Sequence, residues 1–416
     1  GQLFNLKLSD SKLTALPFRS NIKIDHMGER EQIFEEAWRA INNGFYDPDF
    51  HDNNWEDLKE KYKPRAMAAS TNADFQHTVN WMLGEINASH MGLYGIKNRY
   101  KTNKIYTGLL GIDIEPLDEG VKIKKVLKKS PADREESKLA VGDIITHIDG
   151  EKITKDNNYY SFLNNKANTR VVLDVISDNN KKRVVIRPTK SIRNLLYDDW
   201  VSERRRLTDK YSDGRLGYIH IRGMNWTSFE QFERELAANA YNKEGLIVDV
   251  RYNGGGWTTD YLMNILNVKQ HAYTIPRGAA KNLEKENENF VNHYPYSERL
   301  PFYAWTKPSI TLCNQNSYSN AEIFSHAYKN LGIGTLVGTP TFGAVISTSS
   351  RGLVDGSYIR LPFRAWYVKA TNTNMENNPA VPDIEVKNRP DSKALGIDQQ
   401  LKRSANELLL QIDKKR

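Results

Sequence analysis

The residues best placed to do chemistry lie in Asn316-Ser317-Tyr318-Ser319-Asn320-Ala321-Glu322. An apolar run, Ser309 to Cys313, precedes them and reads as a buried strand; Ala321 to Leu331 follows and reads as an amphipathic helix. A serine at a sharp strand-to-helix turn is a hydrolase nucleophile position. Its hydroxyl projects into a cleft, and the first helix amides point at a developing oxyanion. The same Ser319-x-x-Glu322 spacing also describes an ordinary helix cap with a capping box, so the rest of the chain must supply a base and oxyanion donors.

A second string, Asp249-Val250-Arg251-Tyr252-Asn253-Gly254-Gly255-Gly256-Trp257, also joins an apolar strand to a helix. Three glycines let a backbone approach a substrate and present amide hydrogens. The spacing is not that of a dinucleotide loop, and no Gly-Lys-Ser/Thr follows, so an oxyanion loop fits better than a phosphate loop. Among nine histidines, His90 stands out. It is read as ending a helix, is flanked by Ser89 and Gly92, and is remote in sequence from Ser319.

These residues need elements to position them. Residues 1–25 hold an alternating segment and a turn, read as a hairpin without a sheet of its own. Residues 26–103 read as helical: Phe34, Trp38, Ile41 and Phe45 share a face, Asn54 caps a second helix that Pro64 should end, and Phe75, Val79, Met82, Leu83 and Ile86 form a third face. Residues 104–190 change to short strands and turns. Residues 191–416 alternate strand and helix, which predicts an α/β layer with a largely parallel sheet and a C-terminal helix near 398–412.

Composition narrows the function class. The chain has 416 residues, 39% hydrophobic and 26% charged, which suits a soluble multidomain protein. No stretch is long and apolar enough to span a bilayer, and no signal peptide is visible, which leaves cytoplasm and periplasm both open. The single cysteine, Cys313, excludes an intrachain disulfide and reads as a buried apolar residue. The net charge of +8 comes from scattered basic residues without an aromatic-interleaved surface, so no nucleic-acid partner is expected. The histidine spacings show no metal motif, and neither metal nor cofactor is expected.

Two strings in residues 104–190 resemble a PDZ domain. Gly108-Leu109-Leu110-Gly111-Ile112 is similar to its carboxylate-binding loop, and Leu139-Ala140-Val141-Gly142-Asp143 through Asp149-Gly150 is similar to its Gly-Asp turn, apolar strand and hairpin turn. Taken with Phe45-Tyr46-Asp47-Pro48, Trp55, Lys61-Tyr62-Lys63-Pro64, Ser89-His90, the Asp249–Gly256 loop, the Leu336–Gly343 region and Val381-Pro382-Asp383-Ile384-Glu385-Val386, the whole of residues 26–416 resembles the catalytic half of the tricorn proteases. That resemblance implies a multidomain α/β fold: a helical N-terminal domain, a PDZ-like β domain and a crotonase/ClpP-like α/β core. It makes residues 1–25 similar to the tail of an upstream β-propeller.

The resemblance also implies roles. Ser319 would be the nucleophile, His90 the general base and later acid, and Glu376 with Ser89 its support. The amides of Gly256 and Asn320, with Gly255 beside them, would form the oxyanion hole. Thr274 falls where the family carries an acidic specificity residue, so a preference for basic residues does not carry over. Asn320 stands where tricorn has an aspartate. The related tail-specific peptidases use a Ser–Lys dyad, but their lysine position is Ala344 here, which disfavours that chemistry. The implied protein is a serine endopeptidase or oligopeptidase acting on peptides or unfolded proteins, as a homo-oligomer. Rival readings are a catalytically silent PDZ-type peptide-binding protein and a thioester-acting enzyme on the crotonase-like core.

Overall fold

The computed structural model describes residues 3–17, 23–95, 103–270, 272–291, 293 and 304–414. Two compact units emerge, one of Gly1–Arg99 with Ile346–Trp366 and one of Tyr100–Val345 with Tyr367–Arg416. The end of the expected helical segment, 96–102, and residues 18–22 lie outside the described residues.

In the first unit, Leu3–Lys7 and Lys12–Leu16 form an exposed two-stranded antiparallel hairpin, with Leu3 opposite Leu16. Three helices follow, each opened by a side chain that takes up orphan amides: Asp25 for His26–Gly44, Asn54 for Trp55–Met67 and Thr71 for Asn72–Gly84. Ile33, Phe34 and Ile41 pack with Trp55, Phe75, Val79 and Met82 in one core. Trp38 and Trp55 stack at 6.1 Å, and each indole N–H donates to the other's carbonyl.

Pro64 does not end the second helix, which runs on to Met67. The missing amide removes a single hydrogen bond near the helix end. The Ala68 N–H on the Pro64 carbonyl then closes the last turn at 3.0 Å. A three-stranded sheet completes this unit: Gly92–Tyr94 pairs with Tyr358–Ala365, which pairs with Ile346–Gly352, all antiparallel. Residues 346–366 thus group with the helices rather than with the α/β core in which they were expected. Leu353, Ile359 and Leu361 belong to the helical core.

The second unit begins with an antiparallel sheet, ordered Ile112–Pro116, Val121–Val126, Ile144–Ile148, Val171–Ser177 and Asn180–Ile186. Alternate residues such as Val121, Ile123, Leu173 and Val175 fill its core. Asp149 and Gly150 both take positive φ, as a tight hairpin turn requires.

Beyond it lies a five-stranded, all-parallel sheet: Leu216–His220, Gly245–Asp249, Ser309–Cys313, Thr335–Gly338 and Ile384–Glu385. The first three strands are buried at every position, because helices cover both faces. Leu246 and Val248 face the helices Trp226–Glu235, Thr259–Leu266 and Asn320–Asn330. Ile247, Ile310 and Leu312 face Arg193–Ser212 and Gln399–Asp413. Among the described residues no helix is long and apolar enough to cross a membrane.

Candidate active site

Ser319 is the residue before helix Asn320–Asn330, six residues beyond the strand Ser309–Cys313. Its backbone, at φ 57° and ψ −119°, occupies a region that costs a non-glycine residue about 1–3 kcal/mol. Neighbouring bonds hold it there. The Tyr318 N–H donates to the Asn253 carbonyl at 2.9 Å, the Phe342 N–H to the Ser317 carbonyl at 3.1 Å, and the Ser317 hydroxyl to the Val250 carbonyl at 2.8 Å. The Ser319 N–H donates to Glu322 Oε1 at 3.0 Å, so the glutamate half of the capping box is present.

Glu322 does far more than cap. It is fully buried and also accepts the Thr341 hydroxyl at 2.7 Å, the Ala344 N–H at 2.9 Å and the Gly343 N–H. Burial pushes its carboxyl above the ordinary range, against the pull of these donors. The next amide, Val345 N–H, donates to Glu376 Oε2 at 2.7 Å. Three consecutive amides thus end on two carboxylates, and Glu376 is itself buried. The Ala344 side chain, at the dyad lysine position, is buried as well.

The glycine loop lies against the serine. A β-carbon on Gly255, at φ +88°, would fall 2.7 Å from Ser319 Cβ and 2.9 Å from the Asn320 nitrogen. The Gly255 amide is committed to Asn253 Oδ1 at 2.9 Å, so Gly255 contributes close approach rather than a free donor. Gly256, at φ +145°, crosses Met224 so closely that a β-carbon would meet its carbonyl oxygen at 1.9 Å. The Asn320 side chain faces away from this role: its Oδ1 accepts the Thr259 N–H at 3.1 Å and so caps helix Thr259–Leu266.

Arg251 anchors the loop from beneath. It is buried, and its guanidinium bonds Asp249 (2.6 Å at the shortest), both oxygens of Asp398 (3.0 Å each) and Gln400 (3.0 Å). Burial works against ionised Asp398, yet Arg251 holds it well below the usual carboxylate range. Sequence reading passed over this cluster. The signal was an Asp and an Arg two apart at the end of an all-apolar strand, which places both on one side of it. A cavity of about 730 Å³ is lined by Arg251, Asn314, Thr341 and Lys387 among others; Ser319 is not in its walls.

In the first unit, His90 sits in a turn with φ 63°, not at a helix end; the preceding helix stops at Gly84. Its Nδ1 lies 2.6 Å from the Ser89 hydroxyl. Burial, and then the charge of Arg360, lower its pKa to about 4.

Two further expected sites look different in place. In the PDZ loop, the Gly108 N–H donates to the Leu163 carbonyl at 2.8 Å and the Leu109 N–H to the Thr189 carbonyl at 2.9 Å, so both amides serve the fold. Leu110 is core, and Gly111, at φ +81°, packs against Ser130. Thr274 lies in an exposed stretch with its hydroxyl 2.9 Å from His293 Nδ1.

With that geometry in place, the class follows. Residues 215–386 match peptidase family S41, residues 108–187 a PDZ domain and residues 28–84 the tricorn protease C1 domain. Residues 215–386 thus match a peptidase family S41 domain, and the matched domains together are those of the C-terminal part of the tricorn proteases. A tricorn-like protease C-terminal subunit from Sulfurisphaera tokodaii is 31% identical over 409 residues, 95% of this chain and 45% of that protein. A tricorn protease homolog from Saccharolobus solfataricus is 32% identical over 397 residues, 92% of this chain and 35% of that protein. The crystal structure of the tricorn protease matches the fold with a TM-score of 0.82 at 24% identity, over 99% of this chain and 40% of that one. The chain therefore spans less than half the length of these relatives.

Proposed function

We propose that this chain is a serine peptidase that hydrolyses short or unfolded peptides through an acyl-enzyme on Ser319. The observation that carries the reading is the strained Ser319 turn at a helix N-terminus with Gly255 packed directly against it. Such strain persists only where surrounding bonds over-determine it, and it clusters at sites of function.

In this reading the Ser319 oxygen attacks the scissile carbonyl, and His90 takes its proton and returns it to the leaving amine. Ser89 and Glu376 support the histidine, a role that rests on the family resemblance. The amides of Gly256 and Asn320 receive the oxyanion; each such donor is typically worth about 10²–10³ in kcat. Among the hydrogen bonds of the described residues neither amide is committed elsewhere, unlike that of Gly255. A Ser–Lys dyad is disfavoured because Ala344 offers no base. The PDZ domain supports peptide binding and sustains the silent-binder alternative.

One experiment separates the readings: fluorophosphonate labelling with mass mapping, alongside peptide turnover, for the wild type and for Ser319→Ala and His90→Ala. An activated serine gives one label per chain on Ser319 and loses turnover in both variants. Absence of label on the folded wild type, or wild-type turnover by Ser319→Ala, defeats the mechanism.

A further inference from the structure

Three large aromatic side chains of the second unit are partly exposed beside the glycine loop. Trp257 is 56% exposed, Trp226 44% and Tyr261 36%. The two indoles are parallel within 2°, with centroids 6.4 Å apart, and Tyr261 stands edge-on to both at 5.8 Å. Buried Phe229 supports the group from below, 5.2 Å from Trp226 and 5.6 Å from Tyr261.

Each ring is tied by a short run of bonds to the glycine loop or to the helix that follows Ser319. Trp257 follows Gly256, and its N–H donates to the Met224 carbonyl at 2.7 Å. The Met224 N–H donates to the Gly255 carbonyl at 2.9 Å, and Trp226 lies two residues beyond Met224. Tyr261 occupies the first turn of helix Thr259–Leu266, whose Thr259 hydroxyl donates to the Asn320 carbonyl at 2.8 Å. The platform is therefore in register with Gly255, Gly256 and Asn320, the residues that surround Ser319. Contiguous exposed aromatics mark binding surfaces, because indole and phenol rings offer wide, rigid apolar contact at low entropic cost.

We propose that Trp226, Trp257 and Tyr261 form a substrate subsite that takes a bulky apolar or aromatic side chain of the peptide beside the scissile bond. The proposal rests on Ser319 as nucleophile, and its occupant is argued from the platform's continuity with the loop around that serine. It places selectivity on residues that flank the glycine loop rather than at Thr274.

The test compares matched peptides carrying Phe or Ala next to the bond, using the full chain. The wild type is expected to favour Phe by on the order of tenfold or more in kcat/KM, mostly through KM. Trp226→Ala and Trp257→Ala should bring that ratio towards one, and Trp257→Phe should restore most of it; circular dichroism checks that each variant folds. A ratio near one in the wild type, or an unchanged ratio in folded alanine variants, overturns the subsite. So does an unchanged ratio together with a fall in sedimentation mass, which assigns the face to contacts between copies of the chain. If Ser319 takes no fluorophosphonate, the nucleophile reading has failed instead. The platform is then judged by indole fluorescence, where quenching by the Phe peptide but not the Ala peptide upholds it and equal responses overturn it.

Discussion

Gly255 and Ser319 touch backbone to side chain: no β-carbon fits at Gly255 without meeting Ser319 Cβ at 2.7 Å and the Tyr318 carbonyl at 2.7 Å. Position 255 therefore sets where the serine stands. Gly255→Ala adds left-handed strain to that clash, and a loss of about 2–3 kcal/mol is expected in urea unfolding. With Ser319 as the proposed nucleophile, its fluorophosphonate labelling should slow by at least about tenfold, since displacement loses the approach geometry. Wild-type labelling by this variant would contradict the contact.

Arg251 carries a different liability. Arg251→Leu leaves buried Asp249 without its cation and Asp398 with Arg204 alone at 3.3 Å, and a destabilisation of about 3–5 kcal/mol is expected. Arg251→Lys should also destabilise, because an ammonium cannot span both carboxylates and Gln400. Asp398 is held below its ordinary pKa, so its contribution is complete above about pH 4 and fades as pH falls through the lower folded value. Urea midpoints from pH 7 to 2 read both effects.

Glu322→Gln keeps the volume but replaces one acceptor oxygen with an amide NH2 facing other N–H donors. A loss of about 1–3 kcal/mol is expected, with a fall in kcat larger than any change in KM. Equal stability and unchanged turnover would show that the buried carboxylate is dispensable.

His90 makes the pH dependence informative. Burial lowers its pKa to about 4, so the base proposed here stays neutral well below the ordinary histidine range. The expected kcat/KM profile is flat from about pH 8 to 5 and falls near pH 4. An inflection near the unperturbed value of about 6.5 would contradict the burial. Stability follows the same sign. The unfolded chain binds the proton more readily, so the neutral-His90 contribution is complete above about pH 6.5 and is lost as pH falls through 4. His90→Gln should flatten this part of the stability curve relative to wild type.

Much of this was legible in the sequence because it is local. The strand-turn-helix around Ser319 and the three-glycine loop each lie within about ten residues. The Asn54 cap is likewise a neighbour's bond. What escaped depends on distant partners. Asp398 meets Arg251 across 147 positions, and no local pattern announces it. Strand Tyr358–Ala365 joins Gly92–Tyr94 by a pairing that periodicity cannot show. Glu322 looked like a cap partner because only one of its four donors, Ser319, is near in sequence. Pro64 does not stop its helix, because near a helix end the lost bond is cheap.

The discontinuity of the first unit bears on biosynthesis. Its three helices are synthesised well before residues 346–366, so their core lacks Leu353, Ile359 and Leu361 until that distant hairpin has been made. At typical translation speeds of about 5–20 residues per second, that interval lasts tens of seconds. Strand Gly92–Tyr94, two residues beyond His90, waits for the same partner, and His90 waits for the Arg360 charge. A nascent chain must therefore shield a half-built helical layer, and the histidine acquires its final surroundings only after strand Tyr358–Ala365 has been made.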